Sequence, residues 1–386
     1  MTIELSNLTF TEQDDIIPAS GEEIIVNTGI ANTLAGNDSI TGDTTNSISG
    51  ETNGIYNSGT LNTDDGKDII TGISTTVPTI SFPNNGWGIH NETGTIETGE
   101  GNDIIAGVGR RGGIRSTDGT IDTGDDNDTI TGVSTTGIVG QRSGGIIISN
   151  STLNTGKGND VIIGTLKNLT GWGIYNVQSI FNTGDGDDII IGDSTHSTDS
   201  GVGISNTGSM DTGDGNDIIT GLSETTVGLG NSGIINTGDG ADSIFGRAGF
   251  VIGVGIINRD TINTGNGDDT ITGIGFIGIQ NLGIINTGNG EDSIIADGGF
   301  DGTGSVFLGN GKDYLKGFGS GNFNGGNGQD TLELTSGTYT VGVSGTTVNF
   351  TKASIIMNTS EFEKLLAGST TYNFSSLTDG QTIYVA

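Results

Sequence analysis

Short apolar runs alternate with glycine-rich polar turns along most of this chain. A representative stretch is Asn182-Thr183-Gly184-Asp185-Gly186-Asp187-Asp188-Ile189-Ile190-Ile191-Gly192. Thr-Gly-Asp-Gly is backbone that must turn tightly, because glycine reaches dihedrals other residues avoid. The Ile-Ile-Ile that follows is short, β-branched and apolar, the composition of a buried strand. One carboxylate, Asp188, stands where turn becomes strand. Each unit also carries two upstream strand-like pieces, such as Gly54-Ile55-Tyr56-Asn57 with Thr60-Leu61-Asn62-Thr63, or Gly173-Ile174-Tyr175-Asn176 with Ser179-Ile180-Phe181-Asn182. The pattern therefore predicts three short strands per repeat.

The repeat can be followed by its carboxylate: Asp38, Asp68, Asp103, Asp128, Asp160, Asp188, Asp217, Asp242, Asp269, Asp292, Asp313 and Asp330. Successive members lie 30, 35, 25, 32, 28, 29, 25, 27, 23, 21 and 17 residues apart. Such a period signals a solenoid, propeller or array, and three strands in about 25 residues suit a parallel β-helix better than a propeller blade. At about 4.8 Å per coil, twelve coils would make a rod of roughly 58 Å. Length variation then belongs to loops on one side, the longest running from Gly72 to Gly86.

After about Ser336 the pattern changes. Tyr339, Val341 and Val343 alternate, Ser344-Gly345 turns, and Val348 and Phe350 alternate again, which predicts a hairpin. Glu361 to Gly368 reads as a short helix stopped by glycine, and Thr382 to Val385 as a final strand. The expected architecture is all-β: a parallel β-helix or β-roll solenoid over 30–335, an N-terminal cap over 1–29 and a small β-rich C-terminal cap over 336–386.

Composition sharpens this picture. Glycine numbers 73 and proline only 3, with no strict three-residue period, which argues against collagen and against a proline-rich disordered chain. Forty-six acidic residues oppose 13 basic ones, a net charge of −33. That excess repels nucleic acid and anionic membrane surfaces, so neither is an expected partner. No apolar run reaches the roughly 18 residues of a transmembrane helix, so membrane insertion is not expected. Cysteine is absent, and the start Met1-Thr2-Ile3-Glu4-Leu5 lacks the basic and apolar regions of a signal peptide. Export, if it occurs, is expected to bypass an N-terminal signal.

Two polar columns have plain structural readings. Thr63, Thr98, Thr123, Thr155, Thr183, Thr212, Thr237, Thr264 and Thr287 would stack by hydrogen bonds between coils, and Asn62, Asn154, Asn182, Asn236, Asn263 and Asn286 would form an amide ladder or shape the turns. Trp87 and Trp172 share one coil position, Gly-Trp-Gly-Ile, and read as loop or packing residues rather than a sugar platform.

The aspartates raise a different question. Stacked coils would place neighbouring carboxylates roughly 5 Å apart, at a cost of about 3 kcal/mol per pair for an effective dielectric near 20. A hard divalent cation between turns reverses that sign. Calcium takes six to eight oxygens, mixing carboxylates with backbone carbonyls, whereas magnesium demands a stricter octahedron. Zinc lacks ligands, since the chain holds only His90 and His196 and no cysteine. The other reading is that glycines only make turns and the aspartates cap backbone N–H groups.

These turns resemble the glycine-rich calcium-binding repeat of the RTX (hemolysin-type) family, G-G-x-G-x-D-x-U-x. Gly325-Gly326-Asn327-Gly328-Gln329-Asp330-Thr331-Leu332-Glu333 fits every fixed position. The units ending at Asp103, Asp160, Asp188, Asp217, Asp242, Asp269 and Asp292 read Thr-Gly-x-Gly-x-Asp, and Leu308 to Asp313 keeps the rest. Leu34 and Asp64 replace one glycine and Asp126 the other, which puts calcium in doubt at those coils. The resemblance covers roughly 30–335. RTX repeats usually run in tandem with ion rows on both edges, whereas single turns here are 17 to 35 residues apart, so one ion row is expected.

The resemblance implies Ca2+ held by Asp68, Asp103, Asp128, Asp160, Asp188, Asp217, Asp242, Asp269, Asp292, Asp313 and Asp330. Turn glycines would contribute their carbonyls: Gly99 and Gly101, Gly156 and Gly158, Gly184 and Gly186, Gly213 and Gly215, Gly238 and Gly240, Gly265 and Gly267, Gly288 and Gly290, Gly309 and Gly311, Gly326 and Gly328. It also implies an extracellular or cell-surface protein exported by type I secretion through an uncleaved C-terminal signal, folding where calcium is plentiful. The leading expectation is a calcium-binding structural protein without catalysis, its partner class a cell-surface or matrix polysaccharide. One alternative is a β-helix enzyme acting on acidic polysaccharide. Its candidate groups are Arg110, Arg111, Arg115 and His90, which otherwise read as ordinary solvated charges on a loop. Another is an adhesive or ice-binding surface built on the threonine column.

Overall fold

The computed structural model describes residues 2–18, 24–44, 53–74, 86–136, 143–167, 170–249 and 251–386. Three long parallel sheets run the length of a solenoid, and each coil contributes one strand to each. One coil consists of Trp87–Glu92, Thr95–Glu97 and Ile104–Gly109, on what we call faces 1, 2 and 3. The faces hold 12, 16 and 15 strands. The parallel β-helix expected from the spacing is thus the fold, and no α-helix occurs among the described residues.

Register is locked at every level. Ile105 pairs with Ile70 below and Ile130 above, while Ile96 pairs with Leu61 and Ile121. Alternation along face 3 turns Ile105 inward and Ile104 outward, so the core is three columns of aliphatic side chains at or near zero exposure. Identical residues stack because each coil repeats the same polar and apolar order; a one-residue slip would turn the whole column to solvent. The expected Gly72–Gly86 loop is shorter than read: Gly72 to Ser74 still belong to the face 3 strand Ile69–Ser74, and 75–85 lie outside the described residues.

The ends differ. Residues 1–29 supply Thr2–Glu4 and Ile24–Asn27 to face 1, and Leu5 is buried beneath the first coil. At the other end face 2 continues into Ile355–Ser360, then antiparallel into Thr347–Lys352, Gly337–Ser344 and Thr382–Val385. The expected hairpin and final strand are present. The expected helix is not: Lys364–Ala367 is a strand that pairs in parallel with Thr331–Leu334 and antiparallel with Thr370–Asn373. Glutamate, lysine, leucine and alanine favour a helix locally, but an open edge of face 3 offers four paired residues, and that pairing outweighs propensity.

Candidate functional site: the aspartate column

Each Thr-Gly-x-Gly-x-Asp turn joins face 2 to face 3. The threonine is buried where face 2 ends, and the aspartate where face 3 begins. Between them both glycines hold positive-φ conformations, +84° at Gly184 and +145° at Gly186, which favour glycine. A side chain at Gly186 would lie 1.8 Å from the carbonyl oxygen of Gly158, one coil away. Glycine is therefore required for close stacking, independently of any ion. The replaced positions keep the turn: Leu34, Asp64 and Asp126 sit at φ +66°, +59° and +87°. Leu34 and Asp64 stay near the first-position glycines, whereas Asp126 departs from the +131° to +156° of the glycines at its position, so only that coil has a distinct turn backbone.

The twelve aspartates form one column. The backbone N–H of Asp160 donates to Oδ1 of Asp188 at 2.8 Å, and the N–H of Asp188 to Oδ1 of Asp217 at 2.8 Å. The series runs unbroken from Asp38 on Asp68 (2.7 Å) to Asp313 on Asp330 (3.0 Å). Capping of backbone N–H groups, the simpler sequence reading, accounts for one oxygen of each carboxylate. It leaves the second without a partner: Oδ2 of all twelve is buried and accepts no hydrogen bond. The threonine hydroxyl five residues upstream does not reach hydrogen-bonding geometry on Oδ2, but in ten coils, from Thr33 beside Asp38 to Thr287 beside Asp292, it lies close enough to favour the charged carboxylate.

Burial dominates the electrostatics. It pushes Asp128 and Asp188 up to about 8, with neighbouring carboxylates adding to the rise. Asp217 and Asp269 rise to about 7, and Asp103 and Asp160 to about 6, again mainly through desolvation. The upstream threonine hydroxyl and then the donated backbone N–H oppose the rise and do not cancel it. A metal-free column therefore carries protons on many of its members near neutral pH.

No protein-family model matches the chain, and no curated protein sequence matches it either.

The donor set suits a hard cation. Each coil offers one buried carboxylate oxygen without a hydrogen bond, and the carbonyls of the glycine turns that precede these aspartates stack coil on coil. The set is not a side-chain cage: among the described residues no three His, Cys, Asp or Glu side chains converge as a metal group. An ion here would rely on one or two carboxylates plus backbone carbonyls. Every aspartate and glycine expected as a ligand lies in this one column of turns.

The sequence reading missed the column's ends. Asp15 donates its N–H to Asp38 Oδ1 at 2.8 Å, and Glu363 Oε2 accepts from the Asp330 N–H at 2.7 Å. Glu363 precedes an apolar strand as each aspartate does, but no glycine turn announces it. An outer ladder was also missed: Asn102 accepts from the Asn127 N–H at 2.8 Å and Asn127 from that of Asn159 at 2.6 Å.

The remaining candidates resolve individually. The threonine column is buried, so it stacks as expected and offers no surface for ice or adhesion. The expected asparagine ladder is present, for example Asn182 Nδ2 to Asn154 Oδ1 at 2.8 Å. Trp87 and Trp172 share a register position through Gly112 and Gly144. Trp87 is 1% exposed, with Arg111 and Arg115 at 5.4 and 5.7 Å from its ring centre, so it packs as expected. The reading of the basic cluster as solvated loop charges is corrected: Arg111 and His90 are buried, and Arg115 sits opposite His90 on adjacent strands. Desolvation, aided by both arginines, pulls His90 down to about 3, leaving it neutral at physiological pH.

Proposed function

We propose that the chain is a calcium-binding structural solenoid in which divalent ions between stacked turns hold the coils together, and that it works outside the cell or at its surface. The observation that carries this reading is the row of twelve buried, partnerless Oδ2 atoms. An unpaired buried acceptor costs about 1–3 kcal/mol and a buried charge more. A column of them is relieved either by protons or by cations, and calcium accepts mixed carboxylate and carbonyl oxygens in flexible geometry. Asp68 through Asp330 would supply carboxylate oxygen and the paired turn glycines carbonyl oxygen, as expected from the resemblance to RTX repeats. Ion affinity then adds to folding stability. Catalysis is not part of this reading. Type I export through the C-terminal segment and a polysaccharide partner complete it.

The experiment is a calcium titration of chelator-stripped protein at pH 7.5, followed by circular dichroism and thermal melting. The expected outcome is a rise in Tm of 10 °C or more, on the order of that produced by several kcal/mol of linked binding. An unchanged Tm counts against the proposal.

A second reading, action on an acidic polysaccharide, draws on Arg115 facing His90 across face 1. Turnover of alginate or pectin, abolished by Arg115→Ala, would establish it; no turnover of either removes it.

A further inference from the structure

A second feature lies at the corner between faces 1 and 2, away from the aspartate column. Two locked columns bracket this corner: Asn57, Asn91, Ser116, Ile148, Asn176 and Asn206 before it, and Thr60, Thr95, Thr120, Thr152, Ile180 and Ser209 after it. Asn57 and Thr60 are three positions apart, as are Asn206 and Ser209. In the four coils between them the separation is four. Because both columns stay in register, the added residue can only bulge outward. It does so as a left-handed residue in each coil: Thr93, Asp118, Asn150 and Gln178, with φ between +49° and +58°. All four side chains are exposed.

The four bulges form a ledge parallel to the solenoid axis. Thr95, Thr120 and Thr152 make the facing wall, which ends in Ile180, 56% exposed. The trough between has a volume of about 550 Å3. Spanning four coils, it is roughly 15–20 Å long. Its lining carries hydroxyls, two amides and one carboxylate, and no lysine or arginine.

We propose that this trough binds an extended, uncharged β-1,4-linked glycan lying along the solenoid axis, about one sugar per coil. The coil rise of about 4.8 Å is close to the length of one pyranose in such a chain. Hydroxyls and amides each donate and accept, which matches sugar hydroxyls. Asp118 and the net charge of −33 disfavour acidic glycans. A peptide is a poorer fit: strand addition needs an open sheet edge, and coil-to-coil pairing occupies the edges here. Ile180 offers the one apolar surface for a sugar face. The inference rests on the polysaccharide-partner part of the functional reading and not on calcium.

The test is calorimetry in calcium-containing buffer, on protein whose β-sheet dichroism has been verified, with cellohexaose and hexagalacturonate as probes. The wild type is expected to bind cellohexaose, with affinity for hexagalacturonate at least tenfold weaker. The variant Asn150→Ala/Gln178→Ala is expected to lose at least tenfold in cellohexaose affinity. If its dichroism is lost, Thr120→Arg, which fills the trough from the opposite wall, should give the same loss. Absence of cellohexaose binding, equal affinity for the acidic probe, or undiminished binding by the folded variant overturns the inference. A chelator insensitivity of the fold with cellohexaose binding intact would instead strike the calcium reading alone.

Discussion

Two corners of the same coil solve the same problem with different chemistry. Between faces 1 and 2 an asparagine column closes on itself. Asn206 receives the Nδ2 donor of Asn176 at 2.8 Å, and gives its own to Asn231 Oδ1 at 2.9 Å and to the Ile234 carbonyl at 2.9 Å. Between faces 2 and 3 the aspartate column stacks as regularly, yet each rung keeps one oxygen in hand. An amide carries donor and acceptor together, so a stack of amides satisfies itself; a carboxylate only accepts, so a stack of carboxylates needs something from outside. Where the amide run breaks, at Ser116 and Ile148, the following Asn176 is left with an orphaned Oδ1 of the same kind. One corner is finished by the chain and the other is left open to a cation or a proton.

The largest effect should come from comparing calcium-loaded with chelator-stripped protein while changing pH. In metal-free protein the aspartates' folded pKa values, about 6 to 8 for most of the column, stand above the ordinary carboxylate value. The native state then binds more protons than the unfolded chain, so stability is fullest below about pH 4 and falls as pH rises to about 8. With calcium bound the carboxylates are ionised, and acidification should instead weaken the fold by displacing the ion. Thermal melts at pH 5 and pH 8, with and without EGTA, should show slopes of opposite sign. The asparagine corner contributes to neither.

Next in size, Asn206→Asp would turn one carboxylate oxygen against two acceptors, the Asn231 Oδ1 and the Ile234 carbonyl, while the other keeps the Asn176 amide donor. A loss of about 3–5 kcal/mol at pH 8 is expected, partly recovered near pH 4, by urea denaturation. The converse change, Asp188→Asn, should distinguish states: within about 1 kcal/mol of wild type without calcium, because an amide can donate to a neighbouring orphan, but about 1–3 kcal/mol less stable with it. The smallest effect is expected for Asp126→Gly, a gain of up to about 1 kcal/mol from relieving a left-handed aspartate at φ +87°.

Fixed distances made the fold readable. The aspartate always stands two residues after the second glycine position, and a short strand with an inward isoleucine or leucine follows it, so period and strand placement emerged together. The inward asparagines were equally visible in Gly-Ile-x-Asn, but nothing in one rung says which way its side chain points. Glu363 was hidden because its coil lacks the glycine turn and lies 33 residues past Asp330. The strand after it was hidden because helix-favouring residues were outweighed by pairing with Thr331–Leu334, a contact visible only in three dimensions. Burial of His90 and Arg111 is likewise a property of the packed coils and not of the local sequence. The one-residue lengthening in four successive coils was present in the spacing, but it acquires meaning only once both flanking columns are known to stay in register.

The decisive quantity is the metal content of the folded chain. After EGTA stripping and equilibrium dialysis against 1 mM calcium at pH 7.5 (a level of about 1 mM, in the range bound by extracellular modules), the protein should retain several calcium ions per chain. It should retain fewer when Asp188 and Asp217 are both changed to asparagine. A folded protein that holds no calcium above background under these conditions would contradict it.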